Sequence, residues 1–247
     1  MENLSCSFGG LQAVNGANLV AAPGTFLGLI GPNGAGKTTL IDCISGFNRT
    51  YRGTVKFLGH DITHSSPDDV ARTGLVRTFQ RPQLFGRLTV LSNLMASPLH
   101  QRGESIVRAI VGGWRSEERE LLDRAWEVLE YFNLERVAQN YCSELSGGQE
   151  RLVELARIMM FRPKAILLDE PFAGVSPTNR KLLGERLRTM SRERGITIVM
   201  VEHRLQMVEE LCDSIAFMAN GRVIAEGSLL ELRQMREVVD SYLGESL

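Results

Sequence analysis

Three short stretches combine residue types that do chemistry on phosphates. The first is Gly31-Pro32-Asn33-Gly34-Ala35-Gly36-Lys37-Thr38, continued by Thr39, which satisfies the pattern G-x-x-x-x-G-K-[ST]. Its glycines let the backbone curl until successive N–H groups surround a phosphate, and Lys37 adds a point charge. The Thr38 hydroxyl is placed to ligate Mg²⁺. An ordinary glycine-rich turn is the alternative, but the apolar run before this loop and the helical pattern after it argue against that. The second stretch is AILLDEP at 165–171. Asp169 closes an apolar run and would hold Mg²⁺ through water. Glu170 is the candidate to polarise an attacking water, and Pro171 biases it towards an extended backbone. The third stretch is LSGGQ at 145–149, a turn that runs into a helix. Free N–H groups and the helix dipole favour an anion there, and Ser146 with Gln149 has the spacing of a capping box.

The elements that must position these residues alternate between strand and helix. FLGLIG at 26–31 is a short apolar run entering the first glycine loop, and KTTLIDCISGF at 37–47 continues as a helix. GTVKFLGHDIT at 53–63 alternates like one strand and a turn. Ser66-Pro67-Asp68-Asp69 then starts a short helix, with an N-cap, a first-turn proline and early acids. From about 82 to 163 the pattern is helical, and 116–132 places Leu121, Leu122, Ala125, Leu129 and Phe132 on one side. AILLD at 165–169 and ITIVMVE at 196–202 read as strands buried on both faces. A helix over roughly 177–193 separates them, N-capped by Ser176. SIAFMANGRVIAEG at 214–227 reads as a hairpin turning at Asn220-Gly221, and Ser228 with Glu231 frames another capping box. A parallel α/β core interrupted by a helical lobe is the simplest architecture.

Composition excludes several classes. With 28 basic and 29 acidic side chains the net charge is −1, which gives no electrostatic reason to bind nucleic acid or an anionic bilayer. Cys6, Cys43, Cys142 and Cys212 are too scattered for a metal framework and read as free thiols of a reducing compartment. Residues 3–36 carry no charge, yet eight glycines, four asparagines and two prolines break that stretch up. It contains no apolar span of the roughly 20 residues a membrane helix needs. The Met-Glu start is not that of a signal peptide. A soluble chain is expected, with any membrane association arising through partners. His60 and His64 lie around a turn, so no metal site is expected from them. Cys142 reads as a small buried residue.

The three motifs in this order resemble the nucleotide-binding subunit of an ATP-binding-cassette (ABC) transporter, and the resemblance covers essentially the whole chain. It implies an α/β fold with a P-loop NTPase (RecA-like) core over 1–81 and 164–227. A helical subdomain at 82–163 would be inserted in that core, beside an N-terminal antiparallel β subdomain and C-terminal helices at 228–247. It implies ATP as substrate and Mg²⁺ as cofactor. Two such subunits would pack head to tail, so that Ser146, Gly147, Gly148 and Gln149 close over the nucleotide held by the partner's P-loop. By the same resemblance Gln80, in RTFQ, matches the glutamine that senses Mg²⁺ and the attacking water. His203 matches the switch histidine at the γ-phosphate. Phe8 aligns with the aromatic that stacks on adenine, with core packing as the alternative. Two positions depart from the family pattern: Ser176 replaces a frequent aspartate or asparagine, and Arg204 replaces a frequent aspartate. The first strand also reads as short for the family.

Within the family, GLVRTFQRPQLFGRLTVLSNLM at 74–95, SELSGGQERLVELARIMM and the ending VVDSYLG resemble the importer ATPases for branched-chain amino acids and their urea and amide relatives. The ATPase of lipopolysaccharide export is the alternative, and a non-transport ABC ATPase fits less well. The implied partners are a second ABC ATPase subunit, two transmembrane permeases and an extracytoplasmic solute-binding protein, with no nucleic acid. The second ATPase would be a different chain, with a homodimer as the alternative. The implied location is the cytoplasmic face of the inner membrane.

Overall fold

The computed structural model describes residues 1–97 and 114–243. Residues 98–113 of the expected helical lobe, and 244–247 at the end of the expected C-terminal helices, lie outside the described residues. The chain divides into two compact units: 1–80 with 164–173 and 184–247, and 81–163 with 174–183.

The first unit is built on a six-stranded sheet. Its strands are β3 (Phe26–Ile30), β7 (Leu75–Arg77), β8 (Ala165–Asp169), β9 (Thr197–Val201), β10 (Ser214–Ala219) and β11 (Arg222–Gly227). They lie in the order β11-β10-β3-β9-β8-β7, with β11 antiparallel to β10 and every other pairing parallel. Every residue of β3 and β8 is buried, as continuous apolar runs in a two-sided parallel sheet require. The β10–β11 hairpin turns at Asn220-Gly221, both at positive φ, the geometry that matches the twist of the flanking strands.

A second, antiparallel sheet has the order β2-β1-β4, from β1 (Glu2–Phe8), β2 (Leu11–Ala17) and β4 (Arg52–Thr54). The first strand runs seven residues. The one strand followed by a turn expected at 53–63 is instead three short strands. After β4 come β5 (Lys56–Phe57) and β6 (His60–Asp61), joined through Leu58 and Gly59, both at positive φ. Alternation alone does not distinguish one strand from a tight hairpin of the same period. Leu4, Val14, Leu29, Leu40, Ile41, Ala216 and Met218 are fully buried in the shared core of this unit. Helix α1 (Lys37–Ile44) follows the glycine loop, and α2 (Pro67–Arg72) is capped by Ser66, whose hydroxyl accepts from Asp69 N–H.

The second unit packs three helices on one another: α3 (Val90–Met95), α4 (Trp114–Tyr131) and α5 (Gly147–Met160). Ala125 and Leu129 of α4, and Phe132 just beyond it, are fully buried, while Leu121 and Leu122 are only half-buried. The apolar face expected from the sequence therefore deepens towards the helix end. Asn93 in α3 is fully buried, and its amide donates to the Phe85 and Thr89 carbonyls and to Cys142 Sγ (3.0, 3.1 and 3.1 Å), pinning the 85–93 loop. Helix α6 (Pro177–Arg192) begins in this unit and ends in the first. Helix α7 (Leu205–Leu211) precedes β10, and α8 (Leu229–Gln234) with α9 (Arg236–Leu243) follow β11. Among the described residues no helix is long and apolar enough to cross a membrane.

Candidate functional site

In the first unit, four parallel strands deliver the candidate residues to one edge of the sheet. β3 ends at the glycine loop, β9 runs into His203, β8 ends at Asp169 and Glu170, and β7 leads to Gln80. These strands are neighbours in the order β3-β9-β8-β7, so residues far apart in the chain meet at their carboxyl ends. A cavity of about 560 Å³ lies there, lined by Phe8, Asn33 to Thr39, Gln80, Glu170 and His203, with Leu11, Gln12, Ala13, Asn220 and Gly221. Phe8 is 54% exposed at the cavity wall, so the core-packing alternative does not hold.

The loop itself is held open by glycine geometry. Gly31, Gly34 and Gly36 have φ of 147°, 75° and 99°. A Cβ on Gly36 would sit 2.1 Å from the Ala13 carbonyl oxygen, and one on Gly31 would sit 1.9 Å from that of Met218. Lys37 is 6% exposed, and its ammonium donates to the carbonyls of Gly31 and Pro32 at 2.8 and 2.7 Å. The cation is thereby folded over the loop that begins its own helix. The β10–β11 turn braces the loop from behind, with Gly221 N–H donating to the Ala35 carbonyl (3.0 Å) and the Gly221 carbonyl accepting from Asn15 N–H (2.8 Å). The sequence showed that turn as a hairpin; nothing local tied it to the glycine loop.

Glu170 departs from expectation. Its φ is +48°, a left-handed conformation, rather than the extended one that a following proline favours. Tertiary contacts override the local bias. Glu170 N–H donates to the Val201 carbonyl (3.0 Å), its own carbonyl accepts from Ala173 N–H (3.1 Å), and Oε1 lies 2.9 Å from His203 Nε2. A non-glycine residue held in this region costs about 1–3 kcal/mol and persists only where its surroundings over-determine it. The strain aims the carboxylate into the cavity beside the histidine.

Asp169, the last residue of β8 and the neighbour of Glu170, is 1% exposed. Burial pushes its carboxyl above the usual range, and the Arg77 guanidinium works against that shift. Arg77 Nη2 donates to Oδ2 at 3.2 Å, and Thr78 Oγ1 accepts from Asp169 N–H at 3.2 Å. Oδ1 is buried without a hydrogen-bond partner among the described residues. An orphaned carboxylate oxygen is the acceptor expected where a hydrated cation belongs. With the Thr38 hydroxyl, Gln80 and Glu170 on the cavity wall, the donors are all oxygen-bearing groups suited to Mg²⁺. The residues present therefore fit that ion.

Two residues near this site were not singled out in the sequence. Arg77 is one: a lone arginine before Thr-Phe-Gln has no local signature. Glu202 is 4% exposed and raised above the ordinary glutamate range by burial, opposed by the Arg204 and His203 backbone N–H groups that its carboxylate accepts from. Its Oε2 has no partner among the described residues.

Ser146, Gly147, Gly148 and Gln149 belong to the second unit, and the cavity residues belong to the first. The capping box is formed: Ser146 Oγ accepts from Gln149 N–H (3.4 Å), and Gln149 Oε1 accepts from Ser146 N–H (3.0 Å). Ser146 and Gly147 are exposed at the start of a fourteen-residue helix. Gly148 is buried instead, and a Cβ there would meet Asn179 Nδ2 at 2.1 Å. Asn179, in the first turn of α6, thus packs directly on the turn, a contact with no trace in the linear spacing.

A family model described as "ABC transporter" matches residues 14–173. The chain is 42% identical to a "probable branched-chain amino acid transport ATP-binding protein LivG" of Archaeoglobus fulgidus, covering 98% of this chain and 94% of that protein. It is 35% identical to the "high-affinity branched-chain amino acid transport ATP-binding protein LivG" of Escherichia coli, covering 100% and 97%. Among solved structures, a nucleotide-free ATP-binding cassette from an ABC transporter superposes with a TM-score of 0.83 at 35% identity, covering 98% of this chain and 96% of that one. The ADP conformation of an ATP-binding cassette of an ABC transporter also scores 0.83, at 36% identity with 98% and 97% covered.

Proposed function

The chain belongs to the ABC transporter family, and from that premise we propose that it is the ATP-hydrolysing subunit of an importer for branched-chain or related hydrophobic amino acids. The observation that carries the enzymatic part is the Glu170–His203 pair, 2.9 Å apart on the wall of the cavity that the glycine loop lines. The cargo class rests on the amino-acid transport names of the relatives, which do not favour the lipopolysaccharide-export alternative. A urea or amide solute is the related alternative.

In this reading the N–H groups of Asn33 to Thr39 wrap the β- and γ-phosphates, and the Lys37 ammonium exchanges its two loop carbonyls for phosphate oxygens. Phe8 stacks on the adenine. When bound, Mg²⁺ neutralises charge developing on the phosphates, and Thr38, Gln80 and Asp169 are the residues that would hold it. Glu170 orients the attacking water and accepts its proton. His203, hydrogen-bonded to that carboxylate, holds it in place and reaches towards the γ-phosphate. Ser146 and Gly147, exposed at a helix N-terminus and held by Gln149, meet the γ-phosphate of a second cassette packed head to tail, and Gly148 keeps the turn close to its support. ATP then favours the closed pair and hydrolysis releases it, which is how a permease is driven. The second cassette is a different chain, and the pair serves two permeases and an extracytoplasmic binding protein from the cytoplasmic face of the inner membrane.

The test is Glu170→Gln in the assembled complex. Phosphate release should fall by about 10²–10⁴-fold while ATP binding persists and a stable ATP-bound pair accumulates. Lys37→Ala should lose nucleotide affinity itself. Hydrolysis by Glu170→Gln at the unmutated rate would remove the catalytic assignment.

A further inference from the structure

Arg77 ends the edge strand β7, opposite Leu167 of β8, and its side chain is only 6% exposed. One guanidinium nitrogen, Nη1, bonds Asp42 on α1 and donates to Ser45 Oγ at 3.3 Å; the other, Nη2, donates to Asp169 Oδ2 at 3.2 Å. Phe47 and Phe79 close on it, with ring centroids 5.6 and 5.3 Å from the guanidinium carbon and the rings edge-to-face at 5.1 Å. A planar, always-charged fork fits this position and a lysine does not. It spans two carboxylates in fixed directions and is attracted to aromatic faces.

Burying such a group is expensive unless its geometry is used, because the desolvation of ions costs several kcal/mol each. What it accomplishes here is directional. Asp169 has two oxygens; Arg77 occupies Oδ2, so Oδ1 is the one left without a protein partner. The same guanidinium is anchored at its other end to the helix that starts from Lys37 and Thr38. The glycine-loop helix and the Asp169 carboxylate are therefore locked together through one side chain.

We propose that Arg77 is a positioning residue: clamped between Asp42 and Asp169, it fixes the Asp169 carboxylate through Oδ2, leaving Oδ1 as the oxygen that would help hold the divalent cation that accompanies ATP. This deepens the reading of the chain as an ATPase and rests on it. Hydrogen-bond partners behind a metal-directed carboxylate typically contribute 10–100-fold in metal affinity, and removing the clamp should cost an amount in that range. Arg77→Lys keeps the charge but cannot span both carboxylates. Asp42→Asn leaves Arg77 and Asp169 intact and weakens only the outer anchor, at a side chain that is one-third exposed.

The experiment uses the full chain and follows Mn²⁺ as a paramagnetic stand-in for Mg²⁺ by electron paramagnetic resonance, in the presence of a non-hydrolysable ATP analogue. Affinity for the same analogue in EDTA and the melting temperature are measured in parallel. Both variants should bind Mn²⁺ at least about tenfold more weakly, with metal-free analogue affinity within about twofold of the unmutated protein, a margin under 0.5 kcal/mol in the conversion where ~1.4 kcal/mol is tenfold. Unchanged Mn²⁺ affinity in Asp42→Asn and Arg77→Lys would overturn the proposal. So would a fall in metal-free affinity parallel to the Mn²⁺ effect, because a merely structural role weakens both. Failure of the unmutated protein to bind the analogue would instead strike at the ATPase reading beneath it.

Discussion

Replacing Gly36 by alanine separates conformational strain from steric exclusion, because Gly34 in the same loop supplies the control. Gly34 sits at φ +75° with nothing within 4 Å of a built Cβ. Alanine there costs only the strain of a positive φ, about 1–2 kcal/mol. Gly36 sits at φ +99° and its Cβ would stand 2.1 Å from the Ala13 carbonyl oxygen, with Met218 Cε at 3.1 Å. A carbon–oxygen contact relaxes only near 3.3 Å, so the Ala13 carbonyl must retreat by about 1 Å. It cannot do so alone. Val14 next to it pairs with Cys6, and Asn15 N–H bonds the Gly221 carbonyl that braces the loop. Overpacking of this kind adds about 1–3 kcal/mol to the strain, giving about 2–5 kcal/mol in all. At this chain length each kcal/mol moves the melting temperature by about 2–4 °C. Differential scanning calorimetry of the two variants in EDTA, without nucleotide, should therefore place Gly36→Ala at least about 2 °C below Gly34→Ala. Equal melting temperatures would refute the contact between the glycine loop and β2 as the reason for glycine at 36.

Further outcomes follow from other contacts. Gly148→Ala should disrupt the start of α5 by driving a Cβ into Asn179, and Asn179→Ala in the same chain should restore much of the lost ATPase activity and stability; no rescue would show the glycine is needed for another reason. Glu202→Gln should stabilise the protein only above acid pH. Burial raises the folded-state pKa of Glu202 above its ordinary 4.5, so the unfolded chain loses its proton first as pH rises. The stability present below that ordinary value is then lost as pH climbs through the raised one. The melting-temperature gain of the variant should be near zero at pH 4 and positive at pH 8, and a gain independent of pH would refute it.

What was legible in the sequence is local. The capping boxes at Ser146/Gln149 and Ser228/Glu231, the cap at Ser66, the Asn220-Gly221 turn and the apolar runs that became β8 and β9 depend on neighbours within a few residues, and all of them formed, β9 with Thr197 half-buried. The glycine loop was legible for the same reason, since its chemistry is carried by eight consecutive residues. Tertiary structure alone decided the rest. It ordered the strands so that Gln80, Glu170 and His203 reach one cavity. It turned Glu170 to a left-handed backbone against the pull of Pro171 by pairing its N–H with Val201 and its carboxylate with His203. It also brought Asp42, Arg77 and Asp169 together across 35 and 92 positions of chain. The physical reason is that such contacts form only once the sheet has closed the intervening loops, and no residue spacing records which strands will become neighbours.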